Sequence, residues 1–156
     1  MKPIEIFIDG DACPVKDETY KVAMRYGLKT YLVSNAFIQI PKHPLIERVI
    51  VEAGPDVADD WIAEQVQTGD VAITNDIPLA ERVLARGAAA ITPTGRPFNI
   101  DSIGSAIATR ALMEQLRSTG DITGGPQPFS RADRSKFLQS LDEAISREQR
   151  RRSRSI

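Results

Sequence analysis

The sequence predicts an α/β protein, a three-layer αβα sandwich built around a mainly parallel central sheet. Short apolar runs rich in β-branched residues recur along the chain as IEIFI, LKTYLV, RVIV, VAIT and AAAI. Helix-period segments, several of them closed by glycine, alternate with these runs through short connections, as in βαβ units. The 156 residues, 42% hydrophobic, 6% aromatic and 26% charged, are enough for one compact domain with a full core.

Taken in order, the first strand is Ile4 to Ile8. Pro14 suits the first turn of a helix, in which Val15, Val22, Ala23 and Tyr26 form an apolar stripe before Gly27 ends it. Leu28 to Val33 is the second strand, and the loop Asn35 to Pro44 carries Phe37, Ile38 and Ile40. A third strand lies around Arg48 to Val51, and Gly54-Pro55 breaks the chain after it. A helix from about Asp56 to Thr68 places Val57, Trp61, Ile62 and Val66 on one side, with Gly69 as its stop. Val71 to Thr74 is strand four, Pro78 to Arg86 a short helix closed by Gly87, and Ala88 to Ile91 strand five. A helix over about 102–118 and a Gly/Pro-rich connection at 118–130 follow. Ser130 with Asp133 marks a capped helix start whose apolar face is Phe137, Leu138, Leu141 and Ile145.

Composition narrows the chemistry. The single cysteine, Cys13, excludes an internal disulfide and multi-cysteine zinc motifs, and the single histidine, His43, excludes histidine-rich metal sites. Apolar runs are too short to span a bilayer and the start of the chain lacks a signal-peptide pattern, so a cytoplasmic location and no membrane partner are expected. Residues 147–156 hold five arginines against Glu148, which gives a tail of +4. The chain's net −1 leaves residues 1–146, the expected single domain, at −5. A tail of this kind is a candidate phosphate contact, and equally a solvated helix end.

The acids stand where a doubly wound sheet binds ligands, outside the carboxyl ends of the strands. Asp9 and Asp11 follow strand one in IFIDGDACPVKD, and Asp76 follows strand four in AITNDIPLA. With strand one central and strand four beside it, these ends converge, and the helix after strand three adds Asp56, Asp59 or Asp60. On a helical wheel Asp59 borders the apolar stripe and Asp60 faces solvent, which favours Asp59. Carboxylates without a histidine or thiolate cluster make a hard oxygen site, suited to Mg²⁺ or Mn²⁺. Helix capping accounts for Asp11 and Asp56 as well, whereas Asp9 and Asp76 come directly after apolar strands.

Cys13 reads as a small packed residue rather than a nucleophile, since no base is placed beside it. His43 lacks a serine or cysteine partner. Trp61 reads as core, and Phe37, Ile38 and Ile40 as a partner surface, a lid or, for Phe37, a base-stacking group.

DGDACPV (Asp9 to Val15), DVAD (Asp56 to Asp59), GDVAITNDIPLA (Gly69 to Ala80) and TGGPQPFSRADRSKF (Thr123 to Phe137) resemble the bacterial YaiI/YqxD family over nearly the whole chain. That family is usually placed among PIN-like nuclease domains. The resemblance implies an acidic cluster that binds divalent metal for phosphodiester hydrolysis, with single-stranded RNA as the expected partner. On this pattern Asp9 is the strand-one acid, Asp59 the helix acid, and Thr74-Asn75-Asp76 the T-x-D element. PIN domains often carry a further acid after strand five, and TPTGRPFN supplies none before Asp101.

The mechanism that follows makes Asp9 and Asp76 direct metal ligands, with Asp11 and Asp59 holding a second ion or orienting metal-bound water. Ser34, Asn35, Thr74, Arg96, Arg131 and Arg134 are candidate substrate contacts, and the TGGP backbone is a weaker one. Two other readings compete. The order D-x-D, then Ser-Asn, then a later strand ending in Asp is similar to haloacid-dehalogenase-like phosphatases, in which Asp9 would be the nucleophile and Asp11 the acid/base. The short path from Asp11 to the first helix leaves no room for the flap expected there. The third reading is a non-catalytic metal- or RNA-binding protein.

Overall fold

The computed structural model describes residues 2–11, 13–101, 103–104 and 128–154. Five strands, β1 (Glu5–Asp9), β2 (Lys29–Ser34), β3 (Ile46–Ile50), β4 (Val71–Ile73) and β5 (Ala89–Ile91), form one sheet in the order β3-β2-β1-β4-β5. Every pairing between them is parallel. The four helices among the described residues are α1 (Lys16–Tyr26), α2 (Val57–Gln65), α3 (Ile77–Ala85) and α4 (Arg131–Arg154). The helix expected over 102–118, apart from residues 103–104, and the TGGP stretch lie outside the described residues.

Alternation along each strand divides the core into two. Ile6, Ile8, Leu32, Val71, Ile73 and Ile91 face α1 and α4, where Val22, Ala23, Phe137, Leu141 and Ile145 meet them. Phe7, Val33, Ala72 and Ala90 face α2 and α3, where Ile62, Leu79, Ala80 and Val83 meet them. Both faces of the sheet are therefore apolar, which a parallel sheet covered on two sides requires. The result is the three-layer α/β sandwich.

Local signals explain the element ends. Gly27 closes α1 in the left-handed conformation at φ 71, and its neighbour Leu28 donates back to Ala23 O at 2.9 Å. Ser130 and Asp133 exchange side-chain to backbone bonds of 3.1 and 3.0 Å and so cap α4. Helix α2 ends at Gln65, short of the expected Thr68, because Val66 turns to extended backbone and is buried. Trp61 stacks with Phe7 and Tyr31, ring centroids 6.0 and 5.8 Å away, and fastens α2 to the sheet.

Helix α4 runs on through most of the arginine-rich tail. Arg147 pairs with Glu143, Arg151 and Arg152 pair with Glu148, and Arg152 Nη1 donates to Lys2 O at 2.6 Å. That last contact places the end of α4 at the amino end of the sheet. Also there is Asp70, fully buried, which accepts from Lys2 Nζ, Glu5 N and Gln67 N, each at 2.9 Å. No helix among the described residues is long and apolar enough to cross a membrane.

Candidate active site at the carboxyl rim of the sheet

The central pair β1 and β4 ends in Asp9 and Thr74, in register with each other beyond Ile8 and Ile73. Thr74 is buried, donates to Asp9 Oδ2 at 2.8 Å and accepts from Asp76 N at 2.9 Å. Asp76 Oδ1 then accepts from Leu79 N at 2.8 Å and caps α3. One threonine thus fixes two acids. The second oxygen of each carboxylate stays outside these bonds.

Asp11 is separated from Asp9 by Gly10, whose N–H donates to Val33 O at 2.8 Å. A Cβ at Gly10 would lie 2.8 Å from Leu32 Cδ1 and 2.9 Å from Val33 O, so only glycine lets the chain hug β2 here. Asp11 accepts from Ser34 Oγ at 2.9 Å, and Ser34 Oγ accepts from Ala36 N at 3.1 Å. Ser34 is buried at the end of β2. It orients Asp11 and the turn behind it.

Helix α2 delivers Asp59 from its first turn. Asp60, one residue on, pairs with Arg82 of α3 at 2.6 Å in solvent, as the wheel implies. Asp56 adopts φ 67, a left-handed backbone that aspartate tolerates better than most residues, and makes no side-chain cap bond. The capping roles expected of Asp11 and Asp56 are thus not filled, since α1 also lacks a side-chain cap. The cap is Asp76, the acid that strand position alone did not mark as one.

Two adjoining hollows share Asp9 and Asp11 as their common wall. One, of about 150 Å³, is completed by Asn35, Gly54, Asp56, Ala58 and Asp59. The other, of about 290 Å³, is completed by Cys13, Thr74, Asn75, Asp76 and Pro93. A hollow of about 360 Å³ between β5 and α4 is set aside as the site, because its carboxylates Glu143 and Glu148 are paired with arginines and Asp70 with Lys2.

Crowding of like charges shows in the protonation of the acids. Desolvation pushes the half-buried Asp59 carboxyl from 3.8 up to about 7, helped by the charges of Asp76, Asp9 and Asp56 and by its hydrogen bond to Asp76. Burial also pushes Asp9 up, the Thr74 hydroxyl opposes that, and Asp11 and Asp76 add to it. Burial raises the Cys13 thiol as well, and Cys13 is 4% exposed, as a packed residue should be.

The folded protein therefore holds a proton on Asp59 that the unfolded chain releases near pH 4. Its stabilising contribution is complete below the unfolded value and is lost as pH rises through about 7. In chelator, Asp59→Asn should raise stability by about 1 kcal/mol at pH 8, discounted for partial exposure, and change little at pH 4. Denaturant melts at the two pH values check this, and an equal effect at both would remove the electrostatic cause.

Other expected contacts are less central. Asn35 is exposed and lines the smaller hollow, while Arg96, Arg131 and Arg134 line neither. Arg96 sits exposed on the turn after β5, whose Thr92 N donates to Arg96 O at 2.9 Å. Arg131 opens α4 and is exposed. Arg134 pairs with Glu18 of α1 at 3.1 Å and stands 5.6 Å from the Phe129 ring centre. Ser34 and Thr74, buried, hold acids rather than offering themselves to solvent. His43 Nδ1 accepts from Leu45 N at 3.1 Å and is part of a turn.

Comparison with known proteins agrees with the motifs. The family model described as "Uncharacterized BCR, YaiI/YqxD family" matches residues 7–147. A UPF0178 protein of Caulobacter sp. (strain K31) is 62% identical over 145 residues, 93% of this chain and 96% of that one. UPF0178 proteins of Gluconacetobacter diazotrophicus and Rhodopseudomonas palustris (strain TIE-1) are 60% and 59% identical over 148 residues. Each of these alignments covers 95% of this chain, and 96% and 94% of the two relatives. With the family model matching most of its length, the chain belongs to the YaiI/YqxD family.

Proposed function

We propose that the chain is a divalent-metal-dependent nuclease of PIN-like type that hydrolyses phosphodiester bonds in single-stranded RNA. The observation that carries this reading is the gathering of Asp9, Asp11, Asp59 and Asp76 around two joined hollows at the carboxyl rim. Four like charges there raise one another's protonation unless a cation or proton offsets them.

The donor set is all oxygen, which fits Mg²⁺ or Mn²⁺ rather than zinc or copper. Among the described residues no three acid, histidine or thiol side chains stand close enough around one point to hold an ion as they are arranged. The contact between Asp59 and Asp76 is bridged by a proton instead. Asp9 and Asp76 are the expected direct ligands, each with one oxygen fixed by Thr74 or Leu79 N and one left over. Asp11, steadied by Ser34, and Asp59 are placed to orient water or a further ion. A bound divalent ion would supply charge neutralisation at the phosphoryl oxygens and a more acidic water.

Titration calorimetry with Mn²⁺ and a cleavage assay on single-stranded RNA test this. Divalent binding together with chelator-sensitive cleavage is the expected result, and no binding or chelator-resistant cleavage overturns it. Binding of RNA without cleavage would favour the non-catalytic reading, which the separation of the carboxylates supports. The phosphatase reading is disfavoured because no lysine lines either hollow. Trapping of an aspartyl-phosphate on Asp9 would revive it.

The arginine-rich end of α4 lies at the opposite end of the sheet from this rim. Arg150→Ala with Arg154→Ala should therefore leave the salt dependence of binding a short oligonucleotide unchanged. A log-log slope lowered by about 2 would instead show that phosphates reach the tail.

A further inference from the structure

The loop after β2 leaves one aromatic side chain outside the core. Ile38 and Ile40 pack against the cluster under α1, whereas Phe37 between Ala36 and Ile38 is 68% exposed. This exposure is organised. Arg48 of β3 lays its guanidinium 3.9 Å from the Phe37 ring centre and donates from Nη1 to Ile38 O at 3.3 Å. The backbone bond from Val51 N to Ser34 O, 2.9 Å, fastens the same corner.

The platform adjoins the acid site. Asn35 lines the smaller hollow, Ser34 holds Asp11, and Phe37 is two residues farther along the same turn. Arg48 pairs in register with Leu32, so its side chain emerges on the face that Leu32 and Ser34 also use. An apolar ring with a stacked guanidinium beside a phosphate-processing site matches one ligand chemistry, an unpaired nucleobase with its backbone phosphate. Phe37, with Ile50 the other exposed large apolar side chain of this edge, is too little surface for a protein partner, which needs roughly 800 Å² a side.

We infer that Phe37 and Arg48 form a base-stacking platform for a nucleotide next to the scissile phosphate, which makes unpaired nucleic acid the substrate class of the acid site. This rests on the nuclease reading. The recognition is tolerant of sequence, because every base offers a π face.

The test is anisotropy of a short labelled single-stranded oligoadenylate with Ca²⁺ in place of Mn²⁺, alongside Mn²⁺ calorimetry and a thermal melt of each variant. Phe37→Ala should weaken binding roughly tenfold, Phe37→Leu about as much, and Phe37→Trp should restore it. Metal binding and melting temperature should stay level, since the ring lies outside the core. Unaltered affinity in Phe37→Ala and Phe37→Leu overturns the platform and leaves the nuclease reading standing. Failure of the parent protein to bind both the oligonucleotide and Mn²⁺ overturns both. Recovery of affinity by Phe37→Leu would show plain apolar contact and also overturn stacking.

Discussion

Asp9→Asn is expected to lower Mn²⁺-dependent cleavage of single-stranded RNA at least a hundredfold, because a metal-held reaction draws several kcal/mol from the ion. Asp9 is the acid shared by both hollows and the one aligned with Thr74 across the central strand pair. Asparagine keeps the acceptor for Thr74 Oγ1 and removes the negative charge. Burial, Asp11 and Asp76 all disfavour that charge in the folded state, so the melting temperature should stay level or rise. Cleavage kinetics, calorimetry and a thermal melt on the same preparation check the three parts. Activity persisting undiminished would place the chemistry elsewhere, and a lower melting temperature would make Asp9 a structural residue.

Periodicity made most of the scaffold legible, because a parallel sheet covered on both faces needs apolar strands and one-sided helices in alternation. Asp9, Asp76 and Asp59 could be placed on one rim from strand ends and a helical wheel. Their supports could not. Ser34 read as a substrate contact, yet it is buried against Asp11, a pairing set by how β2 ends beside β1 rather than by any local pattern. Gly10 offered a usable signal, a glycine between two acids, since only a residue without Cβ passes so close to Leu32 and Val33. Capping was misassigned for a local reason. Asp76 is followed by Ile77 and Pro78, and the proline at the start of α3 was the cue that its predecessor caps the helix. Arg152 read as tail because its partner, the Lys2 carbonyl, lies at the other end of the chain.

Asp70 shows the same limit with a larger energetic consequence. In GDVAIT it reads as a turn residue before β4, but its fully buried carboxylate gathers the start of β1 and the loop after α2. Asp70→Ala would leave the N–H groups of Glu5 and Gln67 without their acceptor and Lys2 without its anion. Each buried donor left unmet costs about 1–3 kcal/mol, while the Lys2 pair adds less because that amine is partly exposed. A loss of about 3 kcal/mol is expected, a fall of roughly 6–12 °C in melting temperature for a chain of this length. Asp70→Asn should cost less, as one oxygen still accepts. Denaturant titration of both variants measures it, and a loss below about 1 kcal/mol for Asp70→Ala would mean that water reaches those N–H groups. Because Asp70 sits at the amino end of β4 and Asp9 at the carboxyl end of β1, folded Asp70→Ala protein should still bind Mn²⁺ as the parent does. The two aspartates then separate cleanly: one loses chemistry and keeps the fold, the other weakens the fold and keeps the chemistry.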